Sequence, residues 1–312
     1  MATVATNLLA QQAEDVIGQG SKSFAVATRL FAPAMRRDVM LLYAWCRHCD
    51  DLIDGQELGR GRIQTASADT LEQLRTDSLN ALAGKPTSEL PFQALASLSR
   101  RYSISPKLIE AHIAGFELDV AGWQPQTLDD TLQYCYHTAG TVGIMMASIM
   151  DVQDTPTLYR ASDLGIAFQL TNIARDVVED ALGGRSYLPE QWRQEAGLAI
   201  SDLPDPACRQ RTFPLVQRLI NEAEPYYSSA VIGIRALPRR AAWAIATARA
   251  VYRDIGRKIV QRGPDALNER IFVGMAGKAA QVAATLPAAL TPRRPREPAP
   301  RAGLWTPPEV SE

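Results

Sequence analysis

With 312 residues, 46% of them hydrophobic and 21% charged, the chain has an ordinary globular balance and length for one large or two ordinary domains. Its 33 basic and 34 acidic side chains leave a formal net charge of -1, which excludes a global pull toward nucleic acid and leaves function to local clusters. Four cysteines exclude a disulfide framework in a chain this long. Residues 1–11 have neither the basic start nor the cleavage-type site of a secretory leader, and the longest nearly apolar stretch, 141–150, is too short to cross a bilayer. A cytoplasmic protein with no nucleic-acid partner is therefore expected.

Helical spacing of apolar residues dominates the chain. The first strong segment, 38–54, carries Val39, Leu42, Tyr43, Trp45, Cys46 and Cys49 at helical intervals. Cys46 and Cys49 form a C-x-x-C. A zinc site needs a second pair, so these read as core residues one turn apart. Segments 71–82, 88–102 and 106–120 repeat the pattern, with Pro106 suited to open its helix. Longer, mostly buried helices are expected over 127–150 and 157–181, where Met145, Met146 and Met150 read as core. After a break near Pro204, 209–237 and 238–262 supply two more. In the latter, Arg249, Arg253 and Arg257 read as a solvated face, with Asp254 pairing to Lys258 across one turn. No strand-length alternation is present. The expected fold is all-α, one helical bundle domain over 1–290 around a central cavity. Residues 291–312 hold six prolines and four arginines and are expected to form a disordered tail.

Two acidic patches stand out. On a helix, Asp50, Asp51 and Asp54 share a face, continued one and two turns earlier by Arg47 and Tyr43. Three like charges there repel unless solvent or a cation neutralises them. In the second patch, Asn172, Asp176 and Asp180 follow at i, i+4 and i+8, with Gln169 one turn earlier. Phe168, Leu170, Ile173, Val177 and Val178 lie between. A polar stripe on an apolar helix faces bulk water or a polar cavity, and this set without lysine suits a cavity. Each patch alone is also readable as a solvated helix end. Together they favour carboxylates that hold hard cations, which leave open positions for a substrate diphosphate.

With these residues the chain resembles the squalene and phytoene synthase family, over about 21–278. Ser21-Lys22-Ser23-Phe24 looks like its opening diphosphate-contact motif, and Arg47 through Asp54 is similar to its first aspartate motif. Tyr134-Cys135-Tyr136 with Ala139-Gly140-Thr141-Val142-Gly143 resembles the central motif. Gln169 through Asp180, followed by Gly184-Arg185-Ser186-Tyr187-Leu188-Pro189, matches the second aspartate region. Arg270 and Lys278 resemble a late basic pair.

The resemblance implies an isoprenoid-synthase-type helical bundle. The implied reaction joins two geranylgeranyl diphosphates head to head, through prephytoene diphosphate, to phytoene with release of two diphosphates. It implies Mg2+ or Mn2+ on Asp50, Asp51, Asp54, Asn172, Asp176 and Asp180, with Asp50 and Asp176 counted among the catalytic residues. Ser21, Lys22, Ser23, Arg47, Gln169, Asn172, Arg175, Arg185 and Tyr187 are the implied substrate contacts, the basic ones as phosphate clamps. One departure concerns the base: His137 and Thr138 stand where many relatives place a tyrosine and a valine, so Tyr134, His137 and the departing diphosphate are all candidates. No NADPH is expected. Peripheral membrane association and a downstream carotenoid enzyme as partner are expected, because substrate tails and product are hydrocarbon. Thr28, on one helix face with Phe24, is the expected gauge of tail length, with Met40 on the opposite side. The alternatives are a squalene or dehydrosqualene synthase using farnesyl diphosphate, a terpene cyclase, and a non-catalytic scaffold relative, which would be expected to lose metal-binding carboxylates.

Overall fold

The structure is a computed structural model that describes residues 22–55, 66–290 and 301–308. Among them all regular structure is helical, as the periodicity predicts. In chain order the α-helices are α1 (Lys22–Thr28), α2 (Pro33–Asp54), α3 (Ala68–Leu82), α4 (Leu90–Ser99), α5 (Pro106–Val120), α6 (Leu128–Cys135), α7 (Thr141–Ile149), α8 (Thr155–Leu182), α9 (Glu190–Glu195), α10 (Arg209–Ile234), α11 (Arg239–Arg262), α12 (Met275–Ala284) and α13 (Pro287–Leu290). A single apolar core runs from Phe31 to Val273.

Local chemistry sets the boundaries. Pro33 opens α2, and Gly55 closes it in the left-handed region (φ 62°), where its N–H reaches the Asp51 carbonyl. Helix α5 begins as the sequence predicts, with Ser105 capping the Lys107 N–H ahead of Pro106. Thr127 and Asp130 cap α6 reciprocally. Asp154 caps α8. Helix α2 buries Val39, Leu42, Trp45, Cys49 and Ile53, so its acidic end is carried by a rigid, core-packed element. Trp45 is wholly buried and donates from Nε1 to Ser78 Oγ on α3 at 3.2 Å.

The expected helix over 127–150 is interrupted. Residues Tyr136–Gly140 form a turn of π-helix between α6 and α7. A π-turn inserts one residue into an α-helix and re-aims the side chains around it. Apolar spacing survives such an insertion, which hides it from periodicity. Beside it α8 crosses at backbone contact. A Cβ on Gly165 would overlap the Ala139 carbonyl, and one on Gly143 would overlap the Ala161 carbonyl. Only glycine permits that approach. The most extensive helix pairing, α8 with α10, lies on the other side of α8.

Two expectations are corrected. Arg253 pairs with Glu224 of α10 through Nε at 2.8 Å, and Arg249 Nε donates to the Tyr227 carbonyl at 2.7 Å, so these two pack across α10 while Arg257 is exposed as expected. Lys258 does pair with Asp254, at 3.3 Å. The second correction concerns residues 301–308, which composition placed in a disordered tail. Arg301 pairs with Asp163 of α8, and the Trp305 N–H donates to Tyr226 Oη at 3.1 Å. The cysteines at 46, 49, 135 and 208 are free, and Met145 and Met150 are buried, as expected. No described helix is long and apolar enough to cross a membrane.

Candidate active site

The first patch lies at the C-terminal end of α2. Arg47 grips Asp51 with both Nε (2.9 Å) and Nη2 (2.6 Å) and lies 3.7 Å from Asp50. Asp54 accepts from Arg185 Nη1 at 2.9 Å, which ties the loop after α8 to the end of α2. The second patch is the polar stripe of α8. Arg175 forks onto Asp176 (2.7 and 2.5 Å), and Arg270 reaches the same carboxylate at 2.9 Å and Glu179 at 3.4 Å. Asn172 Nδ2 donates to Gln169 Oε1 at 3.4 Å.

Asp119, near the end of α5, joins the patches and was missed in the sequence. It accepts from Tyr187 Oη at 2.7 Å and from Tyr134 Oη at 3.1 Å, while the two phenol rings stack 4.5 Å apart. Burial pushes the Asp119 carboxyl up to about 6, against the two tyrosine hydrogen bonds and the nearby Arg185, with Asp54 adding to the rise. Asp50 is pushed up to about 7, by burial first, with Arg47 opposing and Asp54, Asp51 and Asp119 adding. Asp180 is pushed well up, again by burial, then by Asp176, Glu179 and, from α5, Asp119. Asp119 thus feels charge from both patches, which lie near each other around it. The Asp50 side chain is 44% accessible yet strongly desolvated. That combination fits a carboxylate on the wall of a deep concavity rather than on a convex surface. A readable signal for Asp119 did exist, since it continues the buried stripe of His112 and Phe116 by one more turn.

The other candidates fall as follows. Ser21 lies outside the described residues; Lys22 and Ser23 belong to α1. Thr28 is 2% exposed and donates to the Ala25 carbonyl at 2.9 Å. The His137 ring turns to α5, its Nδ1 at 2.7 Å from the Ala111 carbonyl, and burial lowers its pKa. Tyr134, by contrast, points its hydroxyl at Asp119. Lys278 is buried on α12. Phe168 and Tyr252, which stack 4.2 Å apart, add an aromatic pair near Arg175 and Tyr43.

The donor set suits a divalent cation shared with a diphosphate. Among the described residues no three acidic, histidine or cysteine groups converge into a ready-made cage. However, Asn172 Oδ1 is buried in the acidic stripe without a hydrogen-bond partner, as an acceptor reserved for a cation would be. Small hard cations commonly take one or two carboxylates and complete their shell with water and phosphate.

The squalene/phytoene synthase family model matches residues 17–276. This chain belongs to that family. It is 49% identical to a 15-cis-phytoene synthase of Enterobacter agglomerans over 290 residues, covering 92% of this chain and 98% of that one. A 15-cis-phytoene synthase of Pantoea ananas is 47% identical, covering 95% and 97%. Among solved structures, a dehydrosqualene synthase in complex with ligand superposes with a TM-score of 0.78 at 27% identity, covering 90% of this chain and 96% of that one. The family fold is the isoprenoid-synthase bundle, as the motifs implied.

Crowded carboxylates make the ligand-free protein sensitive to pH. Asp50 and Asp119 bind protons more tightly folded than unfolded. Their contribution is therefore complete below the ordinary carboxylate range of about 4 and is lost as pH rises through about 6 to 7. Without metal or substrate, the melting temperature is expected to fall between pH 5 and pH 8, roughly across that titration. Asp50→Asn is expected to flatten the fall, melting above wild type at pH 8 while losing roughly a thousandfold in turnover. Thermal scans across pH check this; an Asp50→Asn profile parallel to wild type contradicts it.

Proposed function

We propose that this chain condenses two geranylgeranyl diphosphates head to head, through prephytoene diphosphate, to 15-cis-phytoene, releasing two diphosphates in carotenoid biosynthesis. The observation that supports this reading is that Asp119 feels charge from Asp50, Asp54 and Asp180, beside ion pairs of Arg47, Arg175, Arg185 and Arg270 with the two patches. Relatives named for this activity, 43–49% identical over most of the chain, support it.

Mg2+ or Mn2+, held by Asp50, Asp54, Asn172, Asp176 and Asp180, would supply Lewis-acid stabilisation of the departing diphosphate. Asp51, gripped by Arg47, completes that set from behind. The arginines now paired to carboxylates are the groups to hold phosphate oxygens, because a guanidinium fork matches phosphate as well as carboxylate. Gln169 and Tyr187 belong to the same second region, and Ser21, Lys22 and Ser23 are proposed as further diphosphate contacts on the family resemblance of their motif. Loss of the first diphosphate lets the allylic cation alkylate the C2–C3 double bond of the second substrate. The cation so formed loses a proton as its cyclopropane ring closes; the resulting cyclopropylcarbinyl diphosphate ionises and rearranges, and the final cation loses a second proton. For the proton lost on ring closure, Tyr134 is better placed than His137: its hydroxyl can take up a proton as it passes its own to Asp119, whereas the Nδ1–H bond of His137 to the Ala111 carbonyl turns that ring toward α5. Phe168, Tyr252 and Tyr43 offer aromatic faces to passing cations.

Because the final step is a proton loss, no NADPH is required, and Thr28 lets the cavity take a C20 tail. Mass analysis of products from geranylgeranyl and farnesyl diphosphate, with and without NADPH, tests both points. The C20 substrate is expected to be preferred by one to two powers of ten, in proportion to burial of five more carbons at ~0.8 kcal/mol each, reduced by incomplete filling. Thr28→Phe is expected to shift the ratio toward C15. A product that needs NADPH would move the activity to squalene formation, and an unchanged ratio in folded Thr28→Phe would remove Thr28 from the length gauge.

Peripheral membrane association follows from the product's chemistry. Phe272 and Met275 are 66% and 69% exposed on the segment that brings Arg270 to Asp176, and Leu182, 74% exposed, follows Asp180 by half a turn. Such a rim delivers hydrocarbon into a bilayer, where a downstream carotenoid enzyme would receive it. Phe272→Ser/Met275→Ser is expected to weaken liposome flotation several-fold, and flotation at wild-type strength contradicts the role of this rim.

A further inference from the structure

Asp163 is a wholly buried carboxylate on α8 that the reaction does not use. It lies nine residues, or about two and a half turns, before Asn172, so it faces away from the acidic stripe. Its Oδ2 accepts from Ser229 Oγ at 2.5 Å and from Arg301 Nε at 2.9 Å, and its Oδ1 accepts from Arg301 Nη2. The same Nη2 donates to the Trp305 carbonyl at 3.1 Å, and the guanidinium lies over the Tyr159 ring at 5.2 Å. Arg160 Nη1 donates to Ser229 Oγ at 3.0 Å, so a second cation stands behind the serine. Trp305 then anchors the segment through its N–H to Tyr226 and through its ring, 5.5 Å from that of Tyr136 in the π-turn.

The place is specific. Ala161 and Gly165, flanking Asp163, are the α8 residues in backbone contact with Gly143 and with Ala139. No slack exists at that crossing, so a displacement of α8 there is passed to the π-turn and to Tyr134 just before it. Along α8, Asp163 and Asp176 are about 20 Å apart on one continuous helix. A carboxylate so buried keeps its place only with a charged, hydrogen-bonded partner; left alone it seeks water or a proton. Arg301 and Trp305 lie beyond the 17–276 span of the family model.

We propose that Arg301 is a positioning residue for the reaction. By forking onto Asp163 from a segment anchored at Tyr226 and Tyr136, it holds α8 at its crossing with the π-turn and so keeps the acidic stripe and Tyr134 in register. The rate readout rests on the condensation proposed above; the exchange readout does not.

The test uses the full chain as wild type, Arg301→Gln, and the double variant Asp163→Asn/Arg301→Gln, which removes the buried charge as well. Steady-state rates with geranylgeranyl diphosphate are measured well below each melting temperature, together with amide hydrogen exchange over 136–143. Arg301→Gln is expected to lower kcat about tenfold or more, with KM within about threefold of wild type, and to speed exchange over 136–143. The double variant is expected to regain a kcat within about threefold of wild type. A folded Arg301→Gln with a lower melting temperature but wild-type kcat and exchange overturns the proposal, as does a double variant no faster than the single. If Arg301→Gln does not accumulate folded, Arg301→Lys carries the test. Charge without the fork is expected to cost about threefold to tenfold in kcat, and wild-type kcat and exchange there overturn the proposal. A wild type that does not turn over this diphosphate refutes the proposed reaction, and the exchange comparison still decides the role of Arg301.

Discussion

Carboxylates from three helices stand close enough to repel one another, with burial raising Asp50, Asp119 and Asp180, and most of the site's architecture answers that repulsion. Asp50 and Asp54 come from α2, Asp119 from α5, and Asp176 and Asp180 from α8. Arg47, Arg175, Arg185 and Arg270 offset Asp50, Asp54 and Asp176 at 2.5–3.7 Å. Coulomb attraction at such distances is strong where water is scarce, so these pairs fix the relative places of α2, α8 and the loop after α8. The offset is incomplete, as the raised Asp50, Asp119 and Asp180 show. An incompletely neutralised acidic cluster is what a cation-bridged diphosphate can enter.

The fold holds that frustrated arrangement by rigid means. The acidic end of α2 follows a helix whose apolar residues are almost fully buried. Helix α8 is fixed on one side by α10 and on the other by glycine-permitted contact with the π-turn and α7. Tyr134 and Tyr187 hold Asp119 from two different elements, and their hydroxyls remain donors because burial raises both well above the ordinary tyrosine range. Electrostatic strain at the site therefore rests on packing elsewhere.

Much of this was legible in the sequence. The span of α5 follows from Pro106 and the apolar spacing, and both acidic stripes follow from i, i+4 arithmetic. Asp119 escaped because a lone carboxylate has no motif; only its place on the buried side of α5 betrays it, and that requires knowing which side is buried. The π-turn escaped because inserting one residue leaves apolar spacing nearly intact. Arg249 and Arg253 read as solvated because their partners, Tyr227 and Glu224, lie on another helix. Residues 301–308 escaped because composition averages a proline-rich segment, whereas Arg301 and Trp305 dock through individual contacts.

If the two acidic patches form one site, cation and diphosphate complete it together, and Mn2+ binding followed by electron paramagnetic resonance, with and without added inorganic diphosphate, decides it. Binding is expected to be weak with Mn2+ alone and at least about tenfold tighter with diphosphate, and to be lost equally in Asp50→Asn and Asp176→Asn, one from each patch. Mn2+ affinity indifferent to diphosphate, or loss confined to one of the two variants, would contradict a single shared site.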